Sequence, residues 1–498
     1  MRLTIFTFAC LTFACLTFVL PGRADEGMFT LTGVESMPLR DLKAAGAEIR
    51  GSEIIKLSKA VVQVAGGGSG SFVSESGLVV TNHHVAYRCL AALDAMDEHK
   101  GILESGFVAH ARGEELPCPG YYLLLLEETR NVTPQVRKAS VGLPDYHARF
   151  EAERLAKEAL VAECQADGRF VCEASSLDGG VIENISVYTR LLDVRLVYAP
   201  EKDIGKYGGD IDNWMYPRHT GDYSFLRAYV APDGKAGAYD SANIAYEPEA
   251  SLRISELGVG DGDFVMVMGY PGRTKRFTTA SGTSFYLEES VPAALETYGP
   301  MLKLLEGLAG AYVDVERRYA GLIAGLNNAT KYYGESQAGL VAAGLVERKV
   351  KETEELRSTL KGEERQALDD ALSAIDSLYT EYRSYHRLFY VLGRMTSLGS
   401  NSLAMAHTLH KWSVEKQKPE ADRKEDRYKE KNVYALYEKS NRLELTVDFR
   451  AEVAILTYYL RILSGLSGSY RASCLPDLLT ETDALLAGLA KETMRCAR

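Results

Sequence analysis

The hydrophobic period of the chain changes at about Thr278. From about Ala60 to Gly269, short β-branched and apolar runs alternate with glycine turns: "AVVQVA", "GLVVTN", "LLDVRLVYA", "YSFLRAYVA" and "DFVMVMGYP". Such runs read as strands of a sheet or barrel. Residues 144 to 164, "PDYHARFEAERLAKEALVAEC", break the pattern with helical spacing and a leading proline, so a helix is expected there. After Thr278, stretches such as "LVERKVKETEELRSTLKGEERQALDDALSAIDSLYTEYRSYHRLFYVLGRM" carry apolar residues every three or four positions, which predicts helices. A chain of 498 residues exceeds what one core organises. The expectation is therefore α+β, with a β region over 25–278 and a helical domain over 279–498. The charge-dense stretch 411–432 mixes both signs and reads as a solvated helix face and connection.

Residues 1 to 24 combine Arg2, the acid-free apolar run "LTIFTFACLTFACLTFVL" and "PGRA", which reads as a secretory signal cleaved after Ala24. Cys10 and Cys15 lack the leucine three residues upstream that a lipidation signal would want. The expected location is periplasmic or secreted, with no stable membrane insertion after cleavage. Losing the two arginines of the leader moves the formal net charge from −11 to −13, which repels phosphate backbones and argues against a nucleic-acid partner. Cys89, Cys118, Cys164, Cys172, Cys474 and Cys496 remain, and export permits disulfides among them, a close pair such as Cys164–Cys172 included.

The stretch "GGGSGSFVSESGLVVTNHHVA", residues 66 to 86, delivers His83 and His84 from a strand after a glycine turn. A histidine serving as general base needs its other ring nitrogen held by a carboxylate. Asp222 stands directly before the alternating run "YSFLRAY" and meets that need, whereas Asp210 and Asp212 lie nearer a glycine turn and read as turn formers. The order His then Asp is the chymotrypsin order, in which the serine comes last. A metallohydrolase using His83, His84 and His219, or the pair His407 and His410, is a weaker reading, because the chain has no His-Glu-x-x-His.

The stretches "DEGMF", "GGGSGSFVS", "TNHH", "DVRLVYAP", "GGDIDNWMYPRHTGDYSFLRAY", "GDFVMVMGYPGRT" and "GLNNATKYYGE" together resemble the bacterial exported serine dipeptidyl-peptidases of the seven and eleven types, over roughly residues 25 to 460. The resemblance implies a chymotrypsin-like β-barrel region followed by a large helical domain. It implies release of dipeptides from the free amino terminus of peptides, with peptide substrates as partners, a possible homodimer and no cofactor or metal. By the same resemblance, His84 is the general base, His83 its structural neighbour and Asp222 the orienting carboxylate. Asn213, Trp214 and Asn328 would hold the substrate's ammonium, a three-donor group that needs fixed acceptors. The alternative reading of "NWMYPRH" is a packed aromatic corner, and of Asn327 or Asn328 a helix cap.

Two departures from the family pattern matter. Members usually carry cysteines that the resemblance places at Ser69 and Val85, so a disulfide beside the histidines is expected to be missing. Members also continue into a second barrel bearing "GNSGSP", which supplies the nucleophile, and no such motif occurs here. The second barrel is thus expected to be largely absent. The nearest imitation, Ser467 in "SGLSGSY", follows a helical run and reads as a helix-terminating loop. Two functions follow: an incomplete serine dipeptidyl aminopeptidase, or a non-catalytic relative that binds peptide amino termini.

Overall fold

The computed structural model describes residues 29–466 apart from 37–38, 45, 65–66, 210–211, 213–214, 272–277, 396, 398–399, 424–427, 431–432, 435 and 437–446. The leader, Asn213, Trp214, Ser467, Cys474 and Cys496 lie outside the described residues.

Among the described residues, eleven strands make one antiparallel sheet: β1 (Val61–Val64), β2 (Ser69–Phe72), β3 (Leu78–Thr81), β4 (Phe107–Val108), β5 (Leu116–Pro117), β6 (Leu123–Asn131), β7 (Phe170–Leu177), β8 (Ile182–Leu191), β9 (Asp193–Ala199), β10 (Ser224–Val230) and β11 (Ile244–Ala245). The hydrogen-bonded order is β4-β9-β10-β3-β2-β1-β6-β8-β7, with β5 on β9 and β11 on β10. A glycine turn joins β2 and β3. Gly77 between the two has φ +70°, and a Cβ there would stand 2.8 Å from the Ala228 carbonyl oxygen, so no other residue fits. The alternation read from the sequence becomes a buried face in which Val62, Val64, Phe72, Val79, Leu196 and Leu226 pack with Leu90 and Leu93 of the helix His83–Asp94. Each such side chain, fully buried, contributes roughly 1.5 to 3 kcal/mol.

The insert forms the helix Tyr146–Cys164, capped by the Asp145 carboxylate accepting from the Ala148 N–H at 2.8 Å. Its last residue is bonded to β7 by the disulfide Cys164–Cys172. A second disulfide, Cys89–Cys118, closes a separation of 29 residues and bolts the helix His83–Asp94 to the sheet.

One expected strand is corrected. "DFVMVMGYP" forms no strand, and no strand among the described residues pairs with it. Phe264 and Met268 pack against Val34, Leu42, Ala47 and Ile54 near the amino terminus, while Val265 and Val267 are 66% and 97% exposed. An alternating pattern does not make a strand without a partner ladder.

The helical half opens at Ala280, where the Thr279 hydroxyl accepts from the Gly282 N–H at 3.1 Å. Helices Val291–Ala311 and Val313–Ala342 form a hairpin turning at Tyr312, and the helix Phe449–Gly465 joins them around Tyr298, Met301, Leu305, Tyr319, Ile455 and Tyr459. Buried Glu452 ties this core to the helix Asn401–Glu415: it accepts from the Tyr319 hydroxyl at 2.5 Å, from the Ser402 N–H at 3.0 Å and from the Ser400 hydroxyl. Burial, then the bond to Glu452, pushes the Tyr319 phenol up.

Candidate active site

The sheet register brings the two candidate catalytic residues together. Thr81 ends β3 opposite Ser224 at the start of β10, so the residues just past Thr81 lie beside those just before Ser224. Asn82 then enters the helix His83–Asp94 with extended backbone, and its own side chain makes no cap. Asp222 caps the helix from across the sheet instead. Its Oδ1 accepts the His84 backbone N–H at 2.9 Å, and its Oδ2 lies 2.7 Å from the His84 Nδ1. Asn82 Nδ2 donates to both the Asp222 carbonyl and Oδ2 at 3.2 Å. A carboxylate at a helix amino terminus also meets the positive end of the helix dipole.

These contacts move both ionisations. The bond to Asp222 raises the His84 imidazole above its ordinary value, against burial and the positive charges of Arg218 and Lys206. Burial alone would raise Asp222, but bonds from the His84 ring, the His84 backbone and Asn82 override it and hold the carboxyl low. With Nδ1 committed to the carboxylate, Nε2 is the nitrogen left to exchange a proton, and the His84 side chain is 66% exposed. The histidines sit in the first turn of a helix that begins where the strand ends, rather than on the strand itself.

His83 is wholly different from its neighbour. It is fully buried, its ring lies over Gly205, and its ring nitrogens have no hydrogen-bond partner. Burial, then Lys206 and His84, lowers its imidazole in spite of Asp222. The two histidines therefore present no shared face to a metal, and among the described residues no group of three His, Cys, Asp or Glu is placed to hold one. His407 and His410 lie exposed on the helix Asn401–Glu415.

Tyr121 had no sequence signal. Its hydroxyl stands inside the first turns of the helix, donating to the Val85 carbonyl at 2.7 Å and accepting the Cys89 N–H at 3.2 Å. The expected pairing of positions 69 and 85 is also corrected. Gly68, not Ser69, faces Val85: a Cβ on Gly68 would meet the Val85 methyls at 2.7 and 2.8 Å. Ser69 turns the other way, and its hydroxyl accepts the Tyr270 N–H at 2.7 Å.

Asp212 accepts the Met215 N–H in a turn, as expected, and Asp210 lies outside the described residues. Asn327 and Asn328 sit midway along the helix Val313–Ala342, so neither is a cap, and Asn328 is exposed. A surface groove of about 630 Å³ is lined by Arg357, Asp369 and their neighbours in the helical half, and its arginine already pairs with Asp369 at 2.7 Å. Among the described residues no helix is long and apolar enough to cross a membrane.

The Peptidase S46 family profile matches residues 24–494. The chain is 32% identical over 426 residues to an Asp/Glu-specific dipeptidyl-peptidase of Shewanella putrefaciens, covering 84% of this chain and 57% of that protein. It is 30% identical over 365 residues to dipeptidyl-peptidase 7 of Porphyromonas gingivalis, covering 72% and 51%. The crystal structure of Porphyromonas endodontalis DPP11 in complex with substrate superposes with a TM-score of 0.69 at 25% identity, covering 88% of this chain and 63% of that one. The chain thus spans little more than half the length of the curated relatives it matches. A mixed fold built on an antiparallel sheet and a match running through nearly the whole sequence place the chain in the Peptidase S46 family.

Proposed function

We propose that this chain carries the general base, His84, and the orienting carboxylate, Asp222, of an exported serine dipeptidyl-peptidase that releases dipeptides from free peptide amino termini. The carrying observation is the double hold of Asp222 on His84, at 2.9 Å on the backbone and 2.7 Å on the ring, which leaves Nε2 to take a hydroxyl proton. The nucleophile and the oxyanion donors come from polypeptide outside the described residues. Two observations support this: the match covers only 57% of the length of the Shewanella putrefaciens relative, and Ile254, Leu257, Val259, Val265 and Val267 form an exposed apolar run of a kind that usually lies under another chain segment. Asn213, Trp214 and Asn328 would hold the substrate ammonium two residues from the scissile bond, in keeping with neighbours solved with substrate and with the dipeptide Arg-Asp.

In the reaction, the serine hydroxyl gives its proton to His84 Nε2 as its oxygen attacks the second residue's carbonyl. Asp222 steadies the imidazolium through Nδ1, and His84 then returns the proton to the leaving amine. Water repeats the cycle to free the dipeptide. One observation favours a second reading, a peptide-binding relative without catalysis: among the described residues, His84 bonds no hydroxyl or thiol.

The test is a dipeptidyl fluorogenic assay with fluorophosphonate labelling, run on the 498-residue chain alone and together with a polypeptide carrying the relatives' additional length. Release that appears only in the second case and vanishes in His84→Ala supports the proposal. Release unaffected by His84→Ala overturns it, and binding without release in both cases favours the second reading.

A further inference from the structure

The His84–Asp222 pair stands on two segments, one leaving β3 and one entering β10, and both lean on the same short helix, Lys202–Gly205. Its carbonyls hold the segment that leads into Asp222. Ile204 O accepts the Gly221 N–H at 2.9 Å, and the Thr220 hydroxyl donates to Gly205 O at 3.1 Å and Ile204 O at 3.3 Å. Its last residue, Gly205, lies against the face of the His83 ring, next in sequence to His84. A Cβ on Gly205 would meet His83 Cδ2, Cγ and Nε2 at 2.6, 2.7 and 2.8 Å.

Neither residue is explained by local structure. Gly205 has an ordinary helical backbone, where alanine would be the better helix former. His83 is fully buried with unpaired ring nitrogens, an arrangement that costs stability and so calls for a role. What the pair provides is close approach: a flat ring against a bare Cα lets the helix sit near enough to bond residues 220 and 221.

We propose that the helix Lys202–Gly205 is a brace behind the dyad, with Gly205 and His83 as positioning residues that set the His84–Asp222 bond from both sides. It rests on the reading of that pair as the working dyad, but its test needs neither nucleophile nor peptide. The groups facing His84 are Asp222, Arg218, Lys206 and His83. Lys206 follows the brace directly, with its ammonium 4.0 Å from the centre of the Tyr87 ring.

The experiment is titration of the His84 ring nitrogens by NMR in the 498-residue chain, with melting temperature recorded alongside. Gly205→Ala is expected to move the His84 midpoint down toward the ordinary 6.5 by misaligning the Asp222 bond, with a fall in melting temperature from the overpacked ring contact. Thr220→Val, which keeps the shape and removes only the hydroxyl bonds, is expected to shift it the same way to a smaller extent and guards against a Gly205 variant that fails to fold. The double variant His83→Ala/Gly205→Ala should shift no further than His83→Ala alone, because the contact is shared. An unchanged His84 midpoint in Gly205→Ala and Thr220→Val overturns the brace. So does a shift in Gly205→Ala that disappears on a Lys206→Met background, since that would trace it to a displaced charge.

Discussion

Asp222 holds His84 by two atoms at once, one oxygen on the backbone N–H at 2.9 Å and the other on the ring Nδ1 at 2.7 Å. One carboxylate therefore caps the helix and fixes the tautomer of its second residue. Replacing it by asparagine keeps the shape and removes the charge. Asp222→Asn is expected to lower the His84 midpoint toward 6.5 and to destabilise the helix by roughly 0.3 to 1 kcal/mol through loss of the negative charge at its amino terminus. In a complete enzyme it should reduce turnover by a factor on the order of 10⁴. Turnover within a factor of two of the parent would remove Asp222 from the mechanism.

The pH dependence follows from the directions of the two shifts. The folded state raises His84, so its contribution is full below the ordinary 6.5 and disappears as pH rises through the raised value. It depresses Asp222, whose contribution is full above 3.8 and disappears as pH falls through the depressed value. The stability difference between the parent and Asp222→Asn is expected to be greatest between about 3.8 and 6.5 and to shrink on either side. Urea denaturation at several pH values reads it. Activity runs the other way at the high end, rising as His84 loses its proton.

The parts of this site that the sequence revealed are those written in local patterns. "GLVVTNHH" and "DYSFLRAY" each show an alternating strand with a polar group at one end, and antiparallel pairing of Thr81 with Ser224 does the rest. Tyr121, Gly205 and the Gly68–Val85 approach were not legible, because each acts across the fold on a residue with which it shares no periodicity. "DFVMVMGYP" misled for the opposite reason: its pattern is that of a strand, but a ladder also needs a second chain segment.

Gly68 and Val85 offer a direct check on the site's geometry. A Cβ at Gly68 would stand 3.4 Å from the Val85 Cβ, close to the roughly 3.5 to 4.5 Å of a disulfide. Gly68→Cys with Val85→Cys is expected to form a bridge, read as two fewer free thiols than in the reduced variant. Gly68→Ala alone should lose about 1 to 3 kcal/mol by pressing on the Val85 methyls. Two thiols that stay free under oxidant would show the approach to be wrong.

The Cys89–Cys118 bridge joins the dyad helix to the sheet over 29 residues of sequence. Replacing both cysteines by serine is expected to cost roughly 3 to 4 kcal/mol in denaturant titration, most of it through a freer unfolded chain. A much smaller loss would mean that the Tyr121 hydroxyl and the core around Leu90 anchor the helix by themselves.

The remaining question is where the nucleophile resides, and Ser467, outside the described residues, is the internal candidate. It follows the helix Phe449–Gly465, whose Tyr459 and Leu463 are buried in the helical core rather than in the sheet core. His84 can use a serine only if the hydroxyl comes within about 2.6 to 3.2 Å of Nε2, with N–H donors aimed at the developing oxyanion. Losing a triad serine reduces turnover by about 10⁶, more than the remaining pair could make up. The 498-residue chain alone is therefore expected to show little or no peptidase activity, and Ser467→Ala to leave any residue of it unchanged. Stoichiometric fluorophosphonate labelling at Ser467, abolished by His84→Ala, would instead make the chain complete, with its helical half folded back to deliver the nucleophile.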